Sequence, residues 1–417
     1  MKGSIIKRGS SWLLKYDIGR DPVTGKRQTK YKTVRGTKRD AEAELRKLLN
    51  SVEDGLHVNP RKINLADWIE AWLEDYAEPT VSAKTFERYR DLLRLHVIPH
   101  FGHCPLQKLT GAHIQSLYTK LRTEGRRNKR RVAVGEVDHS RAANFDLKEG
   151  LSERTLLHIH RVLSQCLLEA TRSRFLARNP SDDVRAPRPK RGRGTSQTGS
   201  GNGEEINVLE AEQLGELLKV FQKKPLFTLV ALAAATGMRR GELLGLRWSD
   251  VDFDQKKVKI ERSVEETRIK GIRLKSTKNR SSKRTIGVDS GVVDILKSHW
   301  RRQIEDALKL GRRLPSDALI FPKSPLEPNV PKTPGLVSKE FRSVVDSNGF
   351  VGFRFHDLRH THATLLLSAG VPVNTVAQRL GHSTPVITLT VYGHVLKRSE
   401  DKVASAVSDF LGKSLIS

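Results

Sequence analysis

The sequence predicts a multidomain α+β protein. It reads as a small β-sheet-plus-helix N-terminal domain, an all-helical second domain, and a mixed, mainly helical third domain with a small antiparallel sheet. Three observations carry this. Apolar residues alternate near the N-terminus, then recur at helical spacing from Leu65 to Ala170. Pro187 to Gly203 (PRPKRGRGTSQTGSGNG) has a linker's composition, basic at its start and flexible after. A chain of 417 residues also leaves room for two or three domains at about 150 residues each.

Residues 1–58 form the first domain. Ile5 to Ile18 alternates imperfectly around Trp12, Leu14 and Tyr16 and predicts a half-buried strand. Asp21-Pro22 and Thr24-Gly25 are turn signals, and Gln28 to Val34 reads as a further strand. Thr37, with Asp40 three residues on, opens a helix with a capping-box pattern. That helix carries Ala41, Leu45, Leu48 and Leu49 and ends near Gly55. Residues 1–40 hold twelve Lys/Arg against three Asp, a net charge of +9. A sheet and helix this basic suggest a DNA-binding appendage; the plainer alternative is a solvated charged sheet.

Residues 62–186 read as helical. Leu65–Ala77 is apolar at Leu65, Trp68, Ile69 and Trp72. Ser82 caps a helix that Pro99 and Gly102 end, and Thr110 caps another. Ser152 caps a long helix through Cys166 and Ala170 that Asn179-Pro180 stops. The charged stretch 123–150 reads as an inserted loop, either touching phosphates or simply disordered. The 187–203 linker either follows a DNA backbone or tethers passively.

Residues 204–417 make the third domain. Leu209–Phe221 and Leu226–Ala235 are helices, the chain turns at Thr236-Gly237, and Arg239–Trp248 is a third helix. Lys257–Glu266, Gly271–Ser276 and Arg284–Val288 are strand-like. Helices return at Val292–Leu308 and Ser338–Ser347. A helical run from His356 breaks at Gly370-Val371-Pro372, Gly381 and Gly393.

Charge bounds the partners. Lys plus Arg is 75 and Asp plus Glu is 47, a net of +28, so a polyanion is expected, nucleic acid before membrane. No stretch reaches the roughly 18 apolar residues of a membrane span, and the N-terminus lacks the apolar run of a signal peptide. Two cysteines, Cys104 and Cys166, give neither a disulfide framework nor a zinc module. There is no GxxxxGK[ST], GxGxxG or HExxH pattern, so nothing points to ATP, a nicotinamide cofactor or a zinc protease, and no cofactor or metal is expected.

The segment from His356 to His394 carries the informative chemistry. His356 and Arg359 lie three apart, on one helical face. His382 follows after a glycine turn, and Tyr392 comes ten residues later. Arginine offers a planar fork to a phosphate. Histidine can move a proton near neutrality. Tyrosine can attack phosphorus if its proton leaves as the bond forms. Each is weak alone, since an HxxR pair or a tyrosine near a helix end is usually structural. His356, His360 and His362 also invite a metal reading. His362 lies elsewhere on the helical wheel, however, and no acidic or cysteine partner sits at ligand spacing.

Together these segments resemble the tyrosine site-specific recombinases, or phage integrases. TGMRRGELLGLRWSDVD (236–252) is similar to that family's first signature box. FHDLRHTHAT (355–364) and LGHSTPVITLTVYGHV (380–395) are similar to its second. HVIPHFGHCPLQKLTGAHIQSLYTKL (96–121) is similar to the core-binding domain, and residues 1–58 to the arm-site domain of larger integrases.

The resemblance implies roles. Arg239, two past the Thr-Gly turn, and Arg359 would grip the non-bridging oxygens of the scissile phosphate, with Arg240 the rival for the first position. Glu242 would orient an arginine; the alternative is an ordinary i,i+3 pair. Lys278 would protonate the leaving 5′ oxygen, with Lys275 and Lys283 as rivals. His356 would assist proton transfer at Tyr392. His382 would hydrogen-bond a phosphate oxygen. Tyr392 would form a 3′-phosphotyrosyl bond with neither ATP nor metal.

It further implies a DNA integrase of a phage or other mobile element, in the bacterial cytoplasm and on the nucleoid. Its partner would be double-stranded DNA at core and arm sites, bound as a homotetramer, with DNA-bending and directionality factors. Residues 394–417 would pack on a neighbouring subunit, or else cap their own. Two other functions remain open at this point: a type IB topoisomerase-like nicking-closing enzyme, and an inactive DNA-binding regulator on a recombinase scaffold.

Overall fold

The computed structural model describes residues 3–20, 27–53, 63–124, 150–188, 207–276 and 282–397. The chain divides into two compact units, residues 1–189 and 190–417. It is multidomain α+β.

In the first unit, β1 (Gly3–Arg8), β2 (Ser11–Arg20) and β3 (Arg27–Arg35) form an antiparallel sheet in that order. The single strand expected over Ile5–Ile18 is therefore a hairpin. Arg8 pairs with Ser11 across a two-residue turn whose first position, Gly9, takes φ +58°. That left-handed conformation suits glycine and lets the strands fold back. Helix α1 (Lys38–Glu53) opens on the expected reciprocal cap. The Thr37 amide donates to Asp40 Oδ2 at 2.8 Å, and the Asp40 amide to Thr37 Oγ1 at 3.3 Å. Leu14 and Tyr16 on β2 bury against Ala41 and Leu45 of α1. Lys15 and Tyr31 are exposed, the Lys15 ammonium 5.9 Å from the ring centre.

The helical part of this unit comprises α2 (Leu65–Trp72), α3 (Ala83–His96), α4 (Gly111–Glu124) and α5 (Glu153–Arg172). A π-helical turn, Leu73–Ala77, prolongs α2. Ser82 and Ser152 cap α3 and α5 as their sequence suggested, each accepting from a backbone amide three residues on. The core gathers Trp68, Trp72, Leu93, Leu117, Tyr118, Ile159, Leu163 and Cys166. Two helix ends differ from expectation. Helix α3 stops at His96, before Pro99. Pro99 lies in the first turn of the short helix Ile98–Phe101, where a missing N–H costs nothing. Helix α5 stops at Arg172, not at Asn179-Pro180, because Arg174 turns left-handed at φ 60°. At the base of the insertion the Leu151 amide donates to the Leu121 carbonyl at 2.8 Å, and Arg122 pairs with Glu153. Residues 125–149, and with them the expected loop, lie outside the described residues, as does most of the 187–203 linker.

The second unit contains α6 (Ala211–Phe221), α7 (Phe227–Thr236), α8 (Arg240–Leu244), α9 (Ser290–Lys309), α10 (Pro334–Ser347), α11 (Asp357–Ser368), α12 (Val373–Leu380) and α13 (Pro385–Lys397). Its strands are β4 (Val251–Asp252), β5 (Lys257–Ile260), β6 (Arg262–Thr267), β7 (Gly271–Ser276) and β8 (Arg284–Gly287). Helix α7 is apolar nearly all round and buries Leu229, Val230, Leu232 and Ala233 in the core, as a helix wrapped by others must.

Three expectations here are corrected. The strand expected over 257–266 breaks at Glu261. β5 joins a β4-β5-β8 sheet, while β6, among the described residues, pairs with β7 alone. The helix expected over 239–248 ends at Leu244, because the Trp248 amide bonds the Ala318 carbonyl and pulls the chain into a bridge at Arg247–Leu319. Helix α13 runs through Gly393 rather than breaking there. A helical glycine costs about 1 kcal/mol against alanine, too little to end a helix alone. Among the described residues, no helix is long and apolar enough to cross a membrane.

Candidate active site

Two helix ends build the floor of the site. Helix α7 closes on Gly237 at φ +65°, and α12 on Gly381 at φ +68°. A Cβ on Gly237 would lie 2.6 Å from His362 Cδ2 and 2.8 Å from Leu380 Cδ2, so the position excludes a side chain on two grounds. These turns aim carbonyls inward, where the negative ends of helix dipoles suit cations.

Arg359, in the first turn of α11, uses them. Its Nη1 donates to the Gly237 carbonyl at 2.7 Å and its Nη2 to the Leu380 carbonyl at 2.8 Å. It is 3% exposed. Burial, then the neighbouring Arg239 charge, pushes its pKa down to about 9. Arg239 sits just before α8. Its Nη2 donates to the Gly381 carbonyl at 3.2 Å and its Nη1 to Glu242 at 2.9 Å. Its rival Arg240 points elsewhere, to the Ser338 hydroxyl on α10.

Glu242 is buried and does more than join its neighbour on the helix. It accepts the Arg239 amide at 2.9 Å and also pairs with Arg284 of β8, at 2.9 and 3.3 Å. Burial opposes its charge, but the Arg284 hydrogen bond and charge, then Arg239, outweigh that and hold its pKa below the ordinary glutamate value. Arg284 also donates through Nε to the Arg379 carbonyl at 2.7 Å, tying β8 to α12. Sequence reading missed Arg284; a strand-opening arginine gives no signal of the glutamate it will meet.

His382 follows Gly381, and its Nδ1 lies 2.8 Å from the hydroxyl of Thr388, a fully buried residue. When that hydroxyl donates, Nε2 keeps its proton and is a donor. Burial, then Arg359, Arg239 and Arg284, lowers the His382 pKa to about 4. His356, at the start of α11, keeps an exposed face, yet desolvation by its neighbours, then His360 and Arg359, lowers its pKa to about 4. Tyr392, on α13, is 1% exposed, and burial raises its pKa to about 12 while Arg359 opposes the rise.

The structure thus brings Arg239, Glu242, His356, Arg359, His382 and Tyr392 together. It departs from expectation in one contact. The Tyr392 hydroxyl lies 2.8 Å from Nδ1 of His360, not against His356, whose ring meets His360 edge-on at 4.9 Å. The sequence alone offers His360 only a metal reading.

His362 turns away from that pair. Its Nδ1 donates to the Ala234 carbonyl at 2.8 Å, and its Nε2 accepts from Arg379 at 3.0 Å. Among the described residues, no group of three or more His, Cys, Asp and Glu could hold a metal ion. Lys278 lies outside the described residues. Of its rivals, Lys275 is paired with Glu265 across β6–β7, and Lys283 is exposed.

With this geometry in hand, comparisons with known proteins are specific. Residues 207–399 match the phage integrase family, and residues 64–122 match the phage integrase N-terminal SAM-like domain. The chain is 27% identical over 382 residues to a "Tyrosine recombinase XerC-like" protein of Caldanaerobacter subterraneus, covering 89% of this chain and 90% of that protein. It is 24% identical to the ICEBs1 integrase of Bacillus subtilis, covering 94% and 96%. Among solved structures, the Tn1549 transposon integrase in complex with transposon right end DNA aligns with a TM-score of 0.60 at 19% identity, covering 84% of this chain and all of that one. A lambda integrase tetramer bound to a Holliday junction aligns with a TM-score of 0.52 at 17% identity, covering 94% of each chain. At these identities the structural likeness establishes the fold.

Proposed function

The chain belongs to the phage integrase family, tyrosine recombinases that break and rejoin DNA strands, and from that premise we propose that it is a site-specific integrase of a mobile element, with Tyr392 as nucleophile. The carrying observation is that the Tyr392 hydroxyl, 1% exposed, lies 2.8 Å from His360, the residue next to the carbonyl-braced Arg359 on α11.

In this reading Arg239 and Arg359 hold the non-bridging oxygens of the scissile phosphate. They stabilise the charge that grows in the pentavalent transition state, the effect expected to dominate. The Nε2–H of His382 adds a third donor. Tyr392 attacks phosphorus, its proton leaves with the assistance of His356, and the bond to the 5′ oxygen breaks as Lys278 protonates it. The 5′ hydroxyl of a second duplex then attacks the phosphotyrosine and reseals the strand. Glu242 keeps Arg239 in place.

We assign residues 1–58 to arm sites, 62–186 to core sites, 187–203 to the linker and 204–417 to catalysis. The strongly basic N-terminal sheet and the excess charge of the chain support the first of these. The working form is a homotetramer on two DNA sites, assisted by DNA-bending and directionality factors, in the bacterial cytoplasm at the nucleoid. The names of the relatives, integrases of a conjugative element and of phages, favour a mobile element as the substrate.

The test is covalent trapping in EDTA. The protein and its Tyr392→Phe form are incubated with plasmid carrying the DNA that flanks the gene, and with a nicked suicide substrate. Reactions are stopped with SDS. A Tyr392-dependent adduct with strand exchange between two sites is expected. An adduct without exchange would favour a topoisomerase, and tight binding without any adduct a regulator.

A further inference from the structure

We infer that His360 is the group that takes the Tyr392 proton during strand cleavage, a further catalytic residue beyond those the sequence singled out. This rests on the assignment of Tyr392 as nucleophile.

Geometry carries the inference. The hydroxyl lies 2.8 Å from His360 Nδ1, within range for direct transfer. The tyrosine is 1% exposed, so bulk water does not reach its proton. The His356 ring meets that of His360 at right angles, 4.9 Å between centres, and is thus placed to support the imidazole that holds the phenol.

The surroundings suit an acceptor. Burial, with Arg359 and Arg354, keeps the His360 pKa below the ordinary histidine value, so the ring is neutral and can accept. Asp357, fully buried and held by Arg354, pulls the other way. That carboxylate stabilises the imidazolium once the proton arrives, the role a buried acid plays beside a catalytic base.

The step balances without a further reactant. The Tyr392 O–H bond breaks and its proton moves to His360 Nδ1. The phenolic oxygen bonds phosphorus, the bond from phosphorus to the 5′ oxygen breaks, and that oxygen takes its proton from the lysine. Rejoining returns both protons.

The experiment is single-turnover cleavage of a suicide substrate by the full chain. His360→Ala and His360→Asn are compared with wild type. Each is also made with difluorotyrosine at position 392, a more acidic phenol, and run on a 5′-bridging phosphorothiolate, whose sulfur leaves without a proton. DNA binding is measured in parallel. His360→Ala is expected to slow cleavage about a hundred- to ten-thousandfold with binding retained. Difluorotyrosine should recover part of that loss, and the phosphorothiolate none of it.

Three results would overturn the inference. Cleavage by His360→Ala at or above the wild-type rate would make the contact a resting latch. Recovery on the phosphorothiolate would place His360 on the leaving group. A folded, DNA-binding variant that difluorotyrosine does not rescue would make the histidine structural. If His360→Ala does not fold, the same comparison is made with His360→Asn. Failure of the underlying assignment looks different, because Tyr392→Phe would then still form an adduct.

Discussion

Glu242 offers the sharpest test of how the site is held. Its carboxylate accepts from Arg239 at 2.9 Å through both amide and side chain, and from Arg284 at 2.9 and 3.3 Å. Glu242→Ala leaves both guanidiniums without their acid. Breaking a buried pair in this way costs about 3–5 kcal/mol. The two arginines differ, however. The Arg239 side chain is 39% exposed and can turn to water, whereas that of Arg284 is 8% exposed and cannot. The expected loss is therefore about 2–4 kcal/mol, centred on β8 and α8. Native-state hydrogen exchange reads it locally, where a global melt of a multidomain chain would not. Amides of β8 should exchange about thirty- to a thousandfold faster, at 1.36 kcal/mol per tenfold. The pH dependence has a definite sign. The folded pKa of Glu242 is depressed, so its contribution is present above the unfolded value of about 4.3 and is lost as pH falls through the folded one. Wild type and Glu242→Ala should therefore begin to converge as pH falls below about 4.3. Unchanged exchange in β8 at pH 7 would refute the claim that Glu242 is what satisfies Arg284.

Three further outcomes follow from the same geometry. Gly237→Ala forces φ +65° on a side chain whose Cβ meets His362 at 2.6 Å, and should cost about 2–4 kcal/mol in exchange of α7 and α11; a loss under about 0.5 would contradict it. Arg239→Ala should reduce single-turnover cleavage at least about a hundredfold. Arg240→Ala should weaken the α8–α10 contact yet keep cleavage by the folded fraction, and the reverse order would exchange their roles. His356, His362 and His382 are each held near a pKa of about 4, below the unfolded value of about 6.5. The unfolded chain therefore binds protons first on acidification, and stability of the second unit should fall as pH drops from about 6.5 toward 4; a flat profile there would refute the claim that the fold keeps these histidines neutral.

What the sequence made legible was local. Thr37 with Asp40, Ser82 and Ser152 announced helix starts, because a cap is written in four consecutive residues. The family's Thr-Gly spacing pointed to Arg239 rather than Arg240, and it is Arg239 that reaches the Gly381 carbonyl while Arg240 meets Ser338. What escaped was set by distant partners. The break at Glu261 exists because β5 and β6 pair with different strands, which no periodicity encodes. His360 lay on the helical face of His356 and drew a metal reading, while its actual partner comes from α13, 32 residues later. Arg284 and Thr388 are ordinary residues in ordinary elements until Glu242 and His382 reach them.

The site is assembled with a deficit of negative charge, and on the proposed reading that deficit would favour a phosphate in mid-reaction. Arg239 and Arg284 share one carboxylate, Glu242, and each also bonds a neutral carbonyl, of Gly381 and Arg379; Arg359 is braced by the carbonyls of Gly237 and Leu380. Carbonyls orient a guanidinium but do not cancel its charge. The strain appears at Arg359, whose pKa falls to about 9 through burial and the charge of Arg239. Its two carbonyl bonds use two of five N–H donors, leaving others for an incoming oxygen. A phosphodiester supplies one negative charge and the pentavalent transition state about one more. On the proposed reading, the second charge meets donors already braced in position and gains more than the first did. Interactions that strengthen only as the reaction proceeds are those that raise its rate. If these arginines hold the phosphate as proposed, the glycine turns at 237 and 381 serve catalysis without touching the substrate, by holding two arginines still before there is an anion to hold them.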